Sequence, residues 1–101
     1  MSPEATPTQS AVLVTIIGET VLKDSIVQLL KSHNVSGYTI IQVQGEGGHG
    51  RRLGDMAGYN TNIEIKTIVS PEVSDTIFLA LKEHHGKHAL IAFRQKVEAL
   101  Y

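Results

Sequence analysis

Between Gly45 and Asn60 the chain reads Gly45-Glu-Gly-Gly-His-Gly50-Arg-Arg-Leu-Gly54-Asp-Met-Ala-Gly58-Tyr-Asn60, which holds six of its nine glycines. Glycine lets successive backbone N–H groups turn inward as an anion-binding nest and lets the main chain approach a ligand closely. Arg51 and Arg52 add forked donors suited to phosphate or carboxylate. This composition predicts an anion pocket made of amides and guanidinium groups; the competing reading is a surface loop whose arginines are merely solvated. Gly45, Gly47 and Gly50 also spell G-x-G-x-x-G. The dinucleotide version of that pattern must open a helix, which Gly54 and Gly58 make untenable here.

A second cluster, His84, His85 and His88 beside Lys87, could hold a metal ion, since imidazoles one turn apart can share one. It could equally be the basic end of a helix, where cations are favoured, or a basic lip for an anion. Gly86-Lys87-His88 is not a P-loop: the upstream glycine and the magnesium-holding hydroxyl are missing. Paired carboxylates, a serine elbow and a metalloprotease motif are absent, so the residues argue for binding rather than catalysis. Zero cysteines exclude disulfide scaffolds, thiolate zinc sites and thiol chemistry. Nine basic against ten acidic residues give a formal charge of −1, so no broad attraction to nucleic acid or acidic membranes is expected, and any anion must be held locally. Tyr38 and Tyr59 could stack on a base, although packing is the commoner fate of such residues.

The elements that must position these groups follow from the hydrophobic pattern. The chain has 101 residues, 42% of them hydrophobic and 19% charged, which suits one globular domain. Residues 1–10 carry Pro3 and Pro7 and no basic or apolar run; they read as a flexible leader before a domain at 11–101, without a signal peptide, and a cytoplasmic protein is expected. Ala11–Ile17 is a strand apolar on both faces, with Val12, Val14 and Ile16 on one and Leu13, Thr15 and Ile17 on the other. Thr20 is positioned to cap a helix whose stripe is Leu22, Ile26, Leu29, Leu30 and His33, with Asn34 as a left-handed stop. Strands are expected at Ser36–Gln44 and Thr61–Val69, then a helix opened by Ser70-Pro71-Glu72 and striped by Val73, Ile77, Phe78 and Leu81. Ala89–Phe93 reads as the last strand and Gln95–Tyr101 as a short helical turn. The order β-α-β-β-α-β is that of an α+β, ferredoxin-like sandwich with a long glycine-rich loop between strands 2 and 3. Two helices cover one sheet face, so the other needs either an oligomeric partner or a cover from the leader or the terminal turn.

With Gly37-Tyr38-Thr39, the Val43-Gln-Gly45-Glu-Gly47 exit into the loop, Ile63-Glu64-Ile65 and Gly86-Lys87 in place, the chain resembles the PII-like signalling proteins from Ala11 to Tyr101. The resemblance implies a homotrimer assembled through its sheets, adenine nucleotides in the clefts between subunits, and a loop (the T-loop) that changes conformation with ligand and docks on a partner. His49 stands where nitrogen-signalling members have a glutamine that helps hold magnesium and 2-oxoglutarate, Asn60 where they have a lysine, and their carboxyl-terminal arginine pair is reduced to Arg94. The short glycine–arginine loop is most similar to the PII-like regulators associated with carboxysomes and bicarbonate transporters. Those bind AMP or ADP, and cyclic AMP in some members. The similarity implies nucleotide-binding roles for Thr39, Gly45, Gly47, Gly48, Arg51, Arg52, Gly86, Lys87, His88 and Arg94, with no metal and no cofactor.

The expected function is therefore a non-enzymatic sensor that binds AMP or ADP, with bicarbonate as a further ligand, and acts on a bicarbonate transporter or carboxysome-linked partner. A metal-responsive module using His84, His85 and His88 is the alternative, and a weak phosphohydrolase is the third reading. A loop can signal only through a ligand's differential affinity for its two states, and Arg51 and Arg52 are the expected source of that difference.

Overall fold

The arrangement is organised around β1 (Gln9–Glu19), which has a strand on each side. The computed structural model describes residues 7–43, 62–84 and 89–100. After β1 come a 3-10 turn (Thr20–Leu22), α1 (Lys23–Ser32), β2 (Thr39–Val43), β3 (Asn62–Val69), α2 (Pro71–His84) and β4 (Leu90–Ala99). The four strands form one sheet in the order β2-β3-β1-β4 with every neighbour antiparallel, the ferredoxin-like α+β topology.

Register fixes which residues share a face. Val12, Val14 and Ile16 of β1 lie opposite Val69, Thr67 and Ile65 of β3 and opposite Lys96, Arg94 and Ala92 of β4. The apolar members of this set pack with Ile26 and Leu30 of α1 and Ile77 and Leu81 of α2 into the single core. The alternate residues, Leu13, Thr15 and Ile17 with their partners, form the face without helices.

The local signals for both helices hold at their defining points. Ser70 Oγ accepts a hydrogen bond from the Val73 N–H at 3.2 Å, capping α2 ahead of Pro71. Asn34 takes φ 68°, and the Asn34 and Val35 amides donate to the Lys31 and Leu30 carbonyls, closing α1 in a Schellman motif with Val35 buried beneath it. His33 is the C-cap of α1 and half-buried. Thr20 differs from expectation: neither the 3-10 turn nor α1 has a side-chain cap, and the Thr20 hydroxyl instead accepts from Gln42 Nε2 at 3.3 Å.

Strand boundaries also differ, at the end of β4 and at the starts of β1 and β2. Gln95 onward is not a helical turn, because β4 continues to Ala99. β1 reaches back to Gln9 and presents partners along this whole length, from Gly18↔Leu90 to Gln9↔Ala99. A helix of one or two turns is marginal alone, whereas each added residue here joins a ladder already fixed. β2 in turn starts at Thr39 rather than Ser36. The Gly37 carbonyl accepts from the Thr67 hydroxyl, so a side chain takes the place that a ladder bond would have occupied.

Candidate functional site

The strand order sets what meets at one end of the sheet. Val43, the last residue of β2, pairs with Asn62, the first of β3; Asn62 pairs with Glu19, the last of β1; and Gly18 pairs with Leu90, the first of β4. Val43 and Asn62, which flank residues 44–61 in the chain, therefore lie at this end, and Ala89, which follows residues 85–88, lies there on the other side of β1. Neighbouring strands lie about 4.8 Å apart, so the row from β2 to β4 spans about 14 Å. The 3-10 turn that follows β1 lies at the same end, tied to β2 by the Gln42–Thr20 hydrogen bond.

Glu19 occupies the middle of this row and is buried, at 7% exposure. Its Oε2 accepts a hydrogen bond from the Ala89 N–H at 3.2 Å. Ala89 lies one step beyond the Gly18↔Leu90 pair, so the carboxylate extends the fixed part of β4 past the end of the backbone ladder. Gly18 lies beside the same backbone: a Cβ there would stand 3.3 Å from Leu22 Cδ1 and 3.5 Å from the Ala89 carbonyl oxygen. The motifs that stand out in the sequence do not include Glu19. Its signal there is an acid placed directly after a strand apolar on both faces, where a carboxylate must find a donor or face water.

Of the candidate nucleotide residues, Thr39 and Arg94 fall within the described residues. Thr39 opens β2 opposite Lys66, on the helix-free face, and is exposed. Arg94 lies on the helix face of β4. Its Nη1 donates to Asp75 Oδ1 at 2.7 Å and to the buried Ser74 Oγ at 2.8 Å, and its guanidinium carbon sits 4.7 Å from the centre of the Phe78 ring. Thr39 and Arg94 thus occupy opposite edge strands and opposite faces of one chain. Gly45, Gly47, Gly48, Arg51, Arg52, Gly86, Lys87 and His88 lie outside the described residues, as do His49, Tyr59, Asn60 and His85. Among the described residues no group of three or more metal-ligating side chains comes together, and no helix is long and apolar enough to cross a membrane. Tyr38 is half-buried and packs against the core.

The helix-free face carries apolar side chains on every strand, although on β3 Ile68 is accompanied by Asn62, Glu64 and Lys66. Ile41, Ile68, Ile91 and Phe93 are each 45–48% exposed. Residues 11–100 match the family model described as Nitrogen regulatory protein P-II. The chain belongs to the P-II family. Among solved structures, a PII-like signalling protein of Thermus thermophilus is 32% identical to this P-II protein, with 94% of each chain covered and a TM-score of 0.77. CPII of Thiomonas intermedia, a nitrogen regulatory PII-like protein solved with ADP, AMP and bicarbonate, is 23% identical over 93% of this chain and 99% of that one, with a TM-score of 0.79. A DUF3240 family protein of Shewanella baltica shares the fold more distantly, at 19% identity over 82% of this chain and 87% of that one, with a TM-score of 0.57. No curated protein matches the sequence.

Proposed function

We propose that this P-II protein is a regulatory, non-enzymatic homotrimer that binds AMP or ADP, with bicarbonate as a second ligand, in the clefts between its subunits. In this reading the segment Gly45–Asn60 answers the nucleotide and controls a partner of inorganic-carbon metabolism such as a bicarbonate transporter. The observation that carries it is that Val43, Asn62 and Ala89, which flank the two glycine-bearing segments in the chain, lie at one end of the sheet. Gly45, Gly47, Gly48, Arg51 and Arg52 on one segment and Gly86, Lys87 and His88 on the other then supply amides and cations to a common anion.

What one chain leaves open supports assembly with further copies. Its helix-free face exposes Ile41, Ile68, Ile91 and Phe93, and its edges are β2 and β4. A head-to-tail contact that closes into a ring brings one copy's β2 edge toward a neighbour's β4 edge. That is how Thr39 of one subunit and Arg94 of the next come to flank one ligand. CPII, of the same fold, holds ADP, AMP and bicarbonate, which supports this ligand class.

Calorimetric titration with AMP, ADP, ATP and cyclic AMP, each with and without bicarbonate, tests the proposal. Binding of AMP or ADP, weakened at least tenfold when Arg51 and Arg52 are both replaced by alanine, is the expected result. No binding of any of the four at millimolar concentration would defeat it. A monomeric mass in light scattering would defeat the cleft.

A further inference from the structure

We infer that Glu19 is a positioning residue for the nucleotide cleft, linking its two sides by its backbone on one and its carboxylate on the other. The inference rests on the proposed nucleotide site and adds to it a residue that need not touch the ligand. Glu19 is bound in two directions. Its backbone pairs with Asn62, the residue that follows 44–61 in the chain, and its carboxylate receives the N–H of Ala89, the residue that follows 85–88.

A buried amide without a partner costs about 1–3 kcal/mol, so a donor just past the end of a ladder needs a substitute acceptor. Glu19 supplies that acceptor from within the protein, at 7% exposure, where water competes poorly. The start of β4 is thereby tied to the end of β1, whose last residue pairs with Asn62 on its other side. Binding by several donors at once depends steeply on their relative placement, so loosening one lip by a fraction of an ångström weakens the ligand without removing any contact group.

The experiment compares wild type, Glu19→Gln and Glu19→Ala in the full chain. ADP affinity is read by calorimetry, folding by thermal unfolding, and the Ala89 amide by its nitrogen–proton resonance and hydrogen exchange without nucleotide. Glutamine keeps an oxygen acceptor in the same place. The expected result is that Glu19→Ala stays folded, loses protection at Ala89 and weakens ADP about three- to tenfold, while Glu19→Gln restores most of both. Should Glu19→Ala prove too unstable, Glu19→Gln and Glu19→Asp carry the test: the first should bind ADP nearly as wild type, and the second, whose shorter side chain withdraws the acceptor from the Ala89 N–H, should weaken it. ADP affinity unchanged in Glu19→Ala, or equally weakened in Glu19→Gln and Glu19→Ala, overturns the role of Glu19 alone. Wild-type protein that binds no adenine nucleotide overturns the nucleotide site, and this inference with it.

Discussion

The two faces of the sheet are built from similar residues and have different fates. On the helix face, Val14, Ile16, Ile63 and Ile65 are at most 2% exposed. On the other face, Ile41, Ile68, Ile91 and Phe93 are nearly half exposed. Residue type alone does not set the fate: along β3, Ile65 and Ile68 are the same residue type and differ in which side the pleat directs them to. One face is therefore completed within the chain, and the other is apolar without being covered. A contiguous patch of that kind marks an interaction surface rather than a solvated one.

The sharpest test of this contrast is Ile65→Ala. Ile65 is fully buried in the core, and deleting its side chain should cost about 2–5 kcal/mol in urea unfolding. Ile68→Ala, the same change three residues along, should cost much less in a dilute, monomeric sample. Equal losses there would mean that both faces are covered within one chain.

Phe93→Asp attacks the open face from the other direction. Phe93 sits opposite Thr15 in the middle of that face. A carboxylate introduced there has no partner once a second copy closes over it, so assembly should weaken by several kcal/mol. Light scattering should show the mass falling toward that of one chain while circular dichroism keeps the helix and strand signals. An oligomer that survived the substitution would place its contacts elsewhere.

These faces also explain how far the sequence could be read. β-branched density in β1, the Ser70-Pro71-Glu72 start of α2 and Asn34 at the end of α1 are local signals, and the structure follows each. The order of elements and the unpaired face followed from the same periodicities. What stayed hidden depends on partners far away in the chain. The carboxyl-terminal half of β4 is mostly polar or charged on its surface and became a strand because β1 reaches back to Gln9. Glu19 meets Ala89 across 70 residues, and Arg94 meets Asp75 across 19. No local pattern encodes such pairs. The glycine-rich segment and Gly86-Lys87-His88 were conspicuous in the sequence because glycine clusters and paired arginines are compositional signals, and their proposed role rests on that chemistry and on where Val43, Asn62 and Ala89 put their ends.

Thr67 is the polar intrusion on the helix face, 4% exposed and opposite Val14. Its hydroxyl is spent on the Gly37 carbonyl, and Gly37 itself is exposed, so that carbonyl can turn to water if the hydroxyl is lost. Thr67→Val keeps the shape and should therefore cost only about 0.5–1.5 kcal/mol, well below Ile65→Ala in the same denaturation series. A larger loss would show that the Thr67 bond holds the whole entry to β2.

The smallest effect belongs to the rim of the covered face, at Asp75. Its bond to Arg94 is short, at 2.7 Å, and distance alone would suggest a strong clamp between α2 and β4. Exposure argues otherwise: the two side chains are 67% and 43% accessible, so solvent and salt screen the pair, and such pairs contribute about 0–1 kcal/mol. The guanidinium also keeps the buried Ser74 hydroxyl and the Phe78 ring, both independent of the Asp75 charge. Asp75→Asn should thus change stability by less than about 1 kcal/mol, and by less still in high salt. Arg94→Ala should cost more, because Ser74 then loses its donor inside the protein and Phe78 loses its cover. A double-mutant cycle separates the two. A coupling energy near that of the whole Arg94→Ala loss would make the carboxylate the anchor; a small one leaves Ser74 and Phe78 as what holds Arg94 against the helix.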